Sequence, residues 1–171
     1  MAAQGIDVVR SQLPILSIGH SNTAFSVFAS RLSAADRDVV VDVRSVPYAS
    51  YAKHFSRDQL PGLLTEAGFR YLYLGEELGA GFNRPGESDD ALASRISRGI
   101  DRVQAGAERY RIALMCGEVR PEGCHRRHLL GGELMTRGYD LGHILGDGTI
   151  VLQSELDEAD RQSRPQLDLP L

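Results

Sequence analysis

Short apolar runs alternate along this chain with longer segments of helical periodicity. Ile15–Ile18 (ILSI) reads as a first strand closed by Gly19. Phe25, Phe28 and Leu32 follow at helical spacing, with Ser21 or Asn22 placed to cap that helix. The β-branched run Val39–Val43 (VVVDV) predicts a central strand. Ser56 and Gln59 form a capping-box pattern ahead of Leu60, Leu63 and Leu64, with Pro61 slightly deep for a helix start and Gly68 as the stop. Tyr71–Leu74 (YLYL) predicts a third strand. Ser88 opens a helix that carries Leu92, Ile96, Ile100 and Val103 on one face. Arg111–Met115 (RIALM) predicts a buried strand, Pro121 and Gly123 a turn, and His128–Thr136 a helix ended by Gly138. The stretch HILGDGTIVLQ places two apolar segments around a Gly-Asp-Gly turn, a terminal hairpin.

Strands that alternate with helices predict an α/β fold. The expected architecture has three layers, a largely parallel sheet flanked by helices, with a C-terminal β-hairpin. One domain is expected over 13–153, preceded by an extension over 1–12. An acidic, proline-containing tail over 154–171 is expected to be flexible. Glycines and polar residues crowd Gly75–Ser88, a loop long enough for a lid or binding surface.

Composition changes this picture little. The 171 residues are 42% hydrophobic and 25% charged, as in ordinary globular domains. No apolar run approaches the roughly 20 residues that span a bilayer. No basic region with a following apolar stretch opens the chain, so a cytoplasmic location is the default expectation. The net charge of −4 gives no general affinity for nucleic-acid backbones. Lys53 is the only lysine among 19 basic residues, a bias that GC-rich coding produces by itself. Neither a glycine-rich dinucleotide fingerprint nor a GxxxxGK phosphate loop is present.

Candidate chemistry concentrates in Leu114–Arg127, LMCGEVRPEGCHRR. If the strands are parallel, His20, Asp42, Arg44, Glu76, Cys116 and Glu118 emerge at one sheet edge, where such folds bind ligands. Cys124, His125 and Arg126 would open the following helix at the same edge. Arg44 and Arg126 are candidates to hold an anion beside the helix N-terminus, with Asn22 and Tyr48 close by. Alternatively, Arg44 pairs with Asp42 or Glu118 and braces the loops. Cys124 beside His125 and Arg126 is a candidate thiolate nucleophile, although nine residues separate Cys116 from Arg126, too many for the phosphatase loop. Cys116, Cys124 and His125, with His20 as a further candidate, are also possible metal ligands, at a cysteine spacing wider than structural zinc sites use. Glu118 or Asp42 would serve as general base, and His20 or His125 would assist proton transfer.

These pieces resemble the family called domain of unknown function 488. The matching motifs are SIGHSN (Ser17–Asn22), DVRSVPYASYAKHF (Asp42–Phe55), YLYLGEELGA (Tyr71–Ala80), LMCGEVRPEGCHR (Leu114–Arg126) and GHILGDG (Gly142–Gly148). The family usually has Gly-Gly where this chain has Gly79–Ala80. The resemblance implies a compact α/β domain whose polar motif residues share a site, and it specifies no activity or cofactor.

The expected function is a hydrolase or group-transfer enzyme. Its ligand would be a phosphate-bearing small molecule such as a nucleotide, or a nucleic-acid end, with no membrane partner. The alternatives are a non-catalytic nucleotide- or nucleic-acid-binding module and a cysteine-based metal or redox site.

Overall fold

The computed structural model describes residues 13–79 and 85–163. In chain order these form β1 (Ile15–Gly19), α1 (Phe25–Ala34), β2 (Val39–Asp42), a 3-10 turn (Lys53–Phe55), α2 (Leu60–Glu66), β3 (Arg70–Tyr73), α3 (Gly75–Leu78) and α4 (Asp89–Ala107). Then come β4 (Ile112–Cys116), a second 3-10 turn (Pro121–Gly123), a π-helical segment (Arg126–Gly131), α5 (Gly132–Thr136), β5 (Gly142–Ile144), β6 (Ile150–Leu152) and α6 (Gln153–Ser163). The predicted extension over 1–12, the centre of the Gly75–Ser88 loop and the end of the tail lie outside the described residues.

The six strands form one sheet in the order β3-β2-β4-β1-β5-β6, parallel except for the β5–β6 pair. This is the expected largely parallel sheet with a terminal antiparallel hairpin. Strand residues alternate between two apolar clusters. Val39, Val41, Ile112 and Leu114 pack with Ile96, Ile100 and Val103 of α4. Val40, Ala113 and Met115 pack with Phe28 and Leu32 of α1 and Leu60 and Leu64 of α2. The sheet is therefore covered on both faces, which is why β2 and β4 read as near-continuous apolar runs rather than alternating ones.

Local chemistry departs from the pattern in three places. First, α1 starts after Ala24 with no side-chain cap, because Ser21 adopts a left-handed φ of 44° and belongs to the loop before it. Second, Ser56 Oγ accepts from the Ala49 backbone N–H (3.0 Å) instead of capping α2, so the predicted capping box does not form. Pro61 sits at the start of that helix, where its missing N–H costs nothing. Third, residues 153–163 fold as α6, although the segment from 154 reads as flexible tail. Buried Arg127 supplies the reason. It bonds Asp160 at 2.6 Å and lies 3.6 Å from Asp157, so the acidic residues order against a cation that needs them. Asp140 accepts from the Ser154 N–H and fixes the start of the same helix.

A buried polar relay joins this helix to the sheet. Ser17 Oγ donates to His143 Nδ1 (2.7 Å), and His143 Nε2 donates to Gln153 Oε1 (2.9 Å). Both ring nitrogens are satisfied by the neutral imidazole. Burial lowers the His143 pKa to about 4. The unfolded chain takes up that proton near pH 6.5 and the native state resists it until about 4, so stability is full above 6.5 and falls as pH drops through this window. The expected loss is about 3 kcal/mol, reaching a plateau below the native pKa. Urea melts of wild type and His143→Gln from pH 7.5 to 3.5 test this. The variant should show a shallower decline, and parallel curves would dismiss His143 as its source.

Candidate functional site

Parallel pairing brings the ends of β1, β4 and β2 to one edge. Gly19 lies opposite Cys116, and Asp42 opposite Met115. Backbone bonds extend the first pairing past the strands, from His20 N–H to Cys116 O (3.0 Å) and from Ser21 N–H to Gly117 O (2.9 Å). The loop after β4 is therefore locked against the loop after β1. Gly19 makes this possible, since a Cβ there would lie 1.7 Å from the Glu118 carbonyl oxygen.

An open cleft of about 640 Å³ lies over this edge. His20, Asn22, Arg44, Tyr48, Glu118 and His125 line it, and Cys116 and Cys124 form its floor. Two expected members stand elsewhere. Glu76 is exposed on α3 and does not line the cleft. Arg126 is wholly buried beneath the loop, with Nη1 donating to Glu118 O (2.5 Å) and Nη2 to Val119 O (2.7 Å). Its fork is occupied by main-chain carbonyls and does not face a ligand. The π-helical segment begins at Arg126 itself, so this arginine points back along the chain into the loop it secures.

Arg44 and Asp42 realise the structural alternative. Arg44 Nε and Nη2 donate to the two Asp42 oxygens at 2.8 and 2.6 Å, and Tyr71 OH donates to the same carboxylate at 2.8 Å. Asp42 is fully buried and its oxygens are occupied, so it positions Arg44 and is not free to act as a base. Arg44 Nη1 in turn donates to His20 Nε2 (3.1 Å), and His20 Nδ1 donates to the Ser21 carbonyl (2.7 Å), turned toward it by the left-handed backbone. His20 stacks on Phe55 at 4.4 Å. Burial lowers its pKa, and the Arg44 charge adds to that effect. The ring is thus a neutral wall element whose two nitrogens are already committed.

The thiols are closer to each other than to any other reactive group. Cys124 Sγ donates to Cys116 Sγ at 3.0 Å, and His125 Nδ1 lies 3.7 Å from Cys124 Sγ and 3.9 Å from Cys116 Sγ. His125 Nε2 donates to Val43 O (3.3 Å), which leaves the Nδ1 lone pair turned toward the sulfurs. Hydrogen bonding from Cys124 holds the Cys116 thiol well below its ordinary range, helped by the Glu118 N–H. The same shared bond, with burial, pushes Cys124 up. The sequence points to Cys124 as the thiolate because of its position before a helix. The bond instead runs from the Cys124 S–H to Cys116 Sγ, which favours the charge on Cys116. A cysteine at the end of a buried strand, followed by Gly117 and an open turn, was the available signal for this.

Cys116, Cys124 and His125 also present three ligand atoms within 4.8 Å of one another, the only such His/Cys/Asp/Glu group found among the described residues. Two thiolates on one tetrahedral zinc, at bonds of about 2.3 Å, would stand about 3.8 Å apart. The 3.0 Å separation is tighter than that.

Residues 24–131 match the family model described as Domain of unknown function DUF488. The chain belongs to this family. The matched span runs from just before α1 into the π-helical segment and so contains most of the cleft floor. No curated protein and no solved structure matches the chain. Among the described residues, no helix is long and apolar enough to cross a membrane.

Proposed function

We propose that this DUF488 chain is a thiolate-dependent enzyme of the group-transfer or hydrolytic class, with Cys116 as nucleophile. The observation that carries this reading is the Cys124 S–H donating to Cys116 Sγ at 3.0 Å at the floor of an open cleft. A thiolate is the reactive form, and neighbouring donors hold it at neutral pH. Attack by Cys116 on an electrophilic centre would expel a leaving group and form a covalent intermediate. Glu118, an exposed carboxylate on the cleft, would accept a proton from the second reactant. His20 and Arg44 form the facing wall, and their mutual bonds keep it rigid.

The ligand expectation narrows accordingly. A phosphate-bearing group in the cleft would meet Arg44 but not Arg126, and the Arg44 charge is already matched by Asp42. Arg44 keeps guanidinium N–H groups outside its bonds to Asp42 and His20, so a single anionic or polar substituent suits this wall better than a polyanion.

Alkylation by iodoacetamide across pH 4–9 tests the nucleophile. Wild type is expected to react at one cysteine with an apparent pKa well under the ordinary value of about 8.5. Cys116→Ser should abolish this fast phase, and Cys124→Ala, which removes the S–H donor, should raise its pKa. A rate that climbs only through the ordinary thiol range would exclude Cys116 as a resident thiolate.

A further inference from the structure

We propose that Cys116 and Cys124 form a dithiol exchange centre that reduces a small disulfide bound in the cleft, with Cys124 as the resolving thiol. This inference rests on the nucleophile reading above and supplies its substrate class. It follows from three features. The sulfurs are 3.0 Å apart, so a bond between them needs an approach of only about 1 Å. Cys116 is the more exposed of the two (7% against 2%), so an incoming electrophile meets it with Cys124 behind. The Nδ1 atom of His125, with its tautomer fixed by the Val43 carbonyl, lies 3.7 Å from Cys124 Sγ and can take its proton.

The reaction runs in two displacements. The Cys116 thiolate attacks one sulfur of R–S–S–R, the substrate S–S bond breaks, and RS⁻ leaves while a Cys116–S–S–R bond forms. Cys124 then passes its proton to His125 Nδ1, and its sulfur attacks Cys116 Sγ. The Cys116–S–R bond breaks and the second RS⁻ leaves as the Cys116–Cys124 bond forms. Two electrons pass from the protein dithiol to the substrate, which is reduced to two thiols. His125 returns its proton to a departing thiolate, and solvent protonates the other as its pKa requires. A soluble dithiol is the co-reactant that reduces the protein pair and completes the cycle.

The geometry also fixes the order of events. Cys124 is surrounded by Cys116 and His125 and has little exposed surface, so first attack from Cys124 would need the pair to turn over. A disulfide lodged on Cys116 instead leaves Cys124 on the inner side of the mixed disulfide, where displacement is intramolecular.

The test uses the reduced full chain and 2,2′-dithiodipyridine, a neutral disulfide whose released thione is followed by absorbance. Wild type is expected to release a second thione directly after the first. Intact mass should then show loss of two hydrogens and no adduct. Cys124→Ser and Cys124→Ala should each stop after one release, as a persistent Cys116 adduct. Cys116→Ser should lose the fast phase. Stable pyridyl adducts on wild type would overturn the exchange centre. Fast iodoacetamide alkylation of Cys116 in that case would leave the nucleophile intact, whereas slow reaction with both reagents would remove both readings. A stoichiometric metal that must be stripped before either sulfur reacts would also overturn it.

Discussion

Asp42→Ala will destabilise the fold by about 3–5 kcal/mol, the cost of leaving a buried cation without its partner. Arg44 is only 7% exposed, and both arms of its fork end on Asp42. Asp42 is the carboxylate with which it forms its ion pair. Tyr71 would lose its acceptor as well. Removing both charges in Asp42→Ala/Arg44→Met should recover much of the loss, because the desolvation penalty goes with the cation. Urea midpoints for the single and double variants decide this. A single variant within about 1 kcal/mol of wild type would mean that the pair behaves as an exposed one. The single variant should also disturb His20, whose Nε2 is held by Arg44, and so change the cleft wall before the protein unfolds.

Gly19→Ala is expected to be the other severe change, at about 3 kcal/mol or more, the upper range for forced overpacking. The new methyl would collide with backbone atoms rather than a movable side chain. It would stand 1.7 Å from Glu118 O and 2.7 Å from Val119 Cα. Those two residues cannot retreat cheaply, since the buried Arg126 guanidinium holds both of their carbonyls. Displacing the loop would also draw the Glu118 N–H from Cys116, so the thiolate phase should weaken in whatever fraction stays folded. Gly62→Ala is the control. It lies in α2 with nothing within 4 Å of the place a methyl would take, and alanine there should be neutral or stabilising by about 0.5–1 kcal/mol. Thermal melts and alkylation rates of both variants would show whether the effect belongs to the site of contact or to glycine replacement in general.

Much of the architecture was legible because burial on both faces writes itself into composition. Val39–Val43 read as a central strand and Arg111–Met115 as a buried one, and the parallel arrangement then gathered His20, Arg44, Cys116 and Glu118 at one edge. The roles within that edge were less legible. A sequence shows that Arg126 follows Cys124 and His125, but not that the chain folds back so that its guanidinium meets the carbonyls of Glu118 and Val119. Nor does it show which cysteine keeps the proton, since that depends on a 3.0 Å contact between residues eight apart. The acidic composition of 154–163 pointed to solvent. The need of Arg127 for carboxylates, a long-range demand, turned that segment into α6.

The segment between β2 and the first 3-10 turn gives the cleft its outer margin. Val46, Tyr48 and Tyr51 are 62%, 65% and 94% exposed and border the opening without carrying the sheet. Their neighbours Asp42 and Arg44 are fixed by burial, and Gly19 by the loop against it, so inherited variation can accumulate at one margin while the opposite one stays constant. On the proposed enzymatic reading, a change in preferred substrate among relatives with the same floor would therefore be written first in these three side chains. Exchanging them between family members would transfer selectivity while leaving thermal stability nearly unchanged.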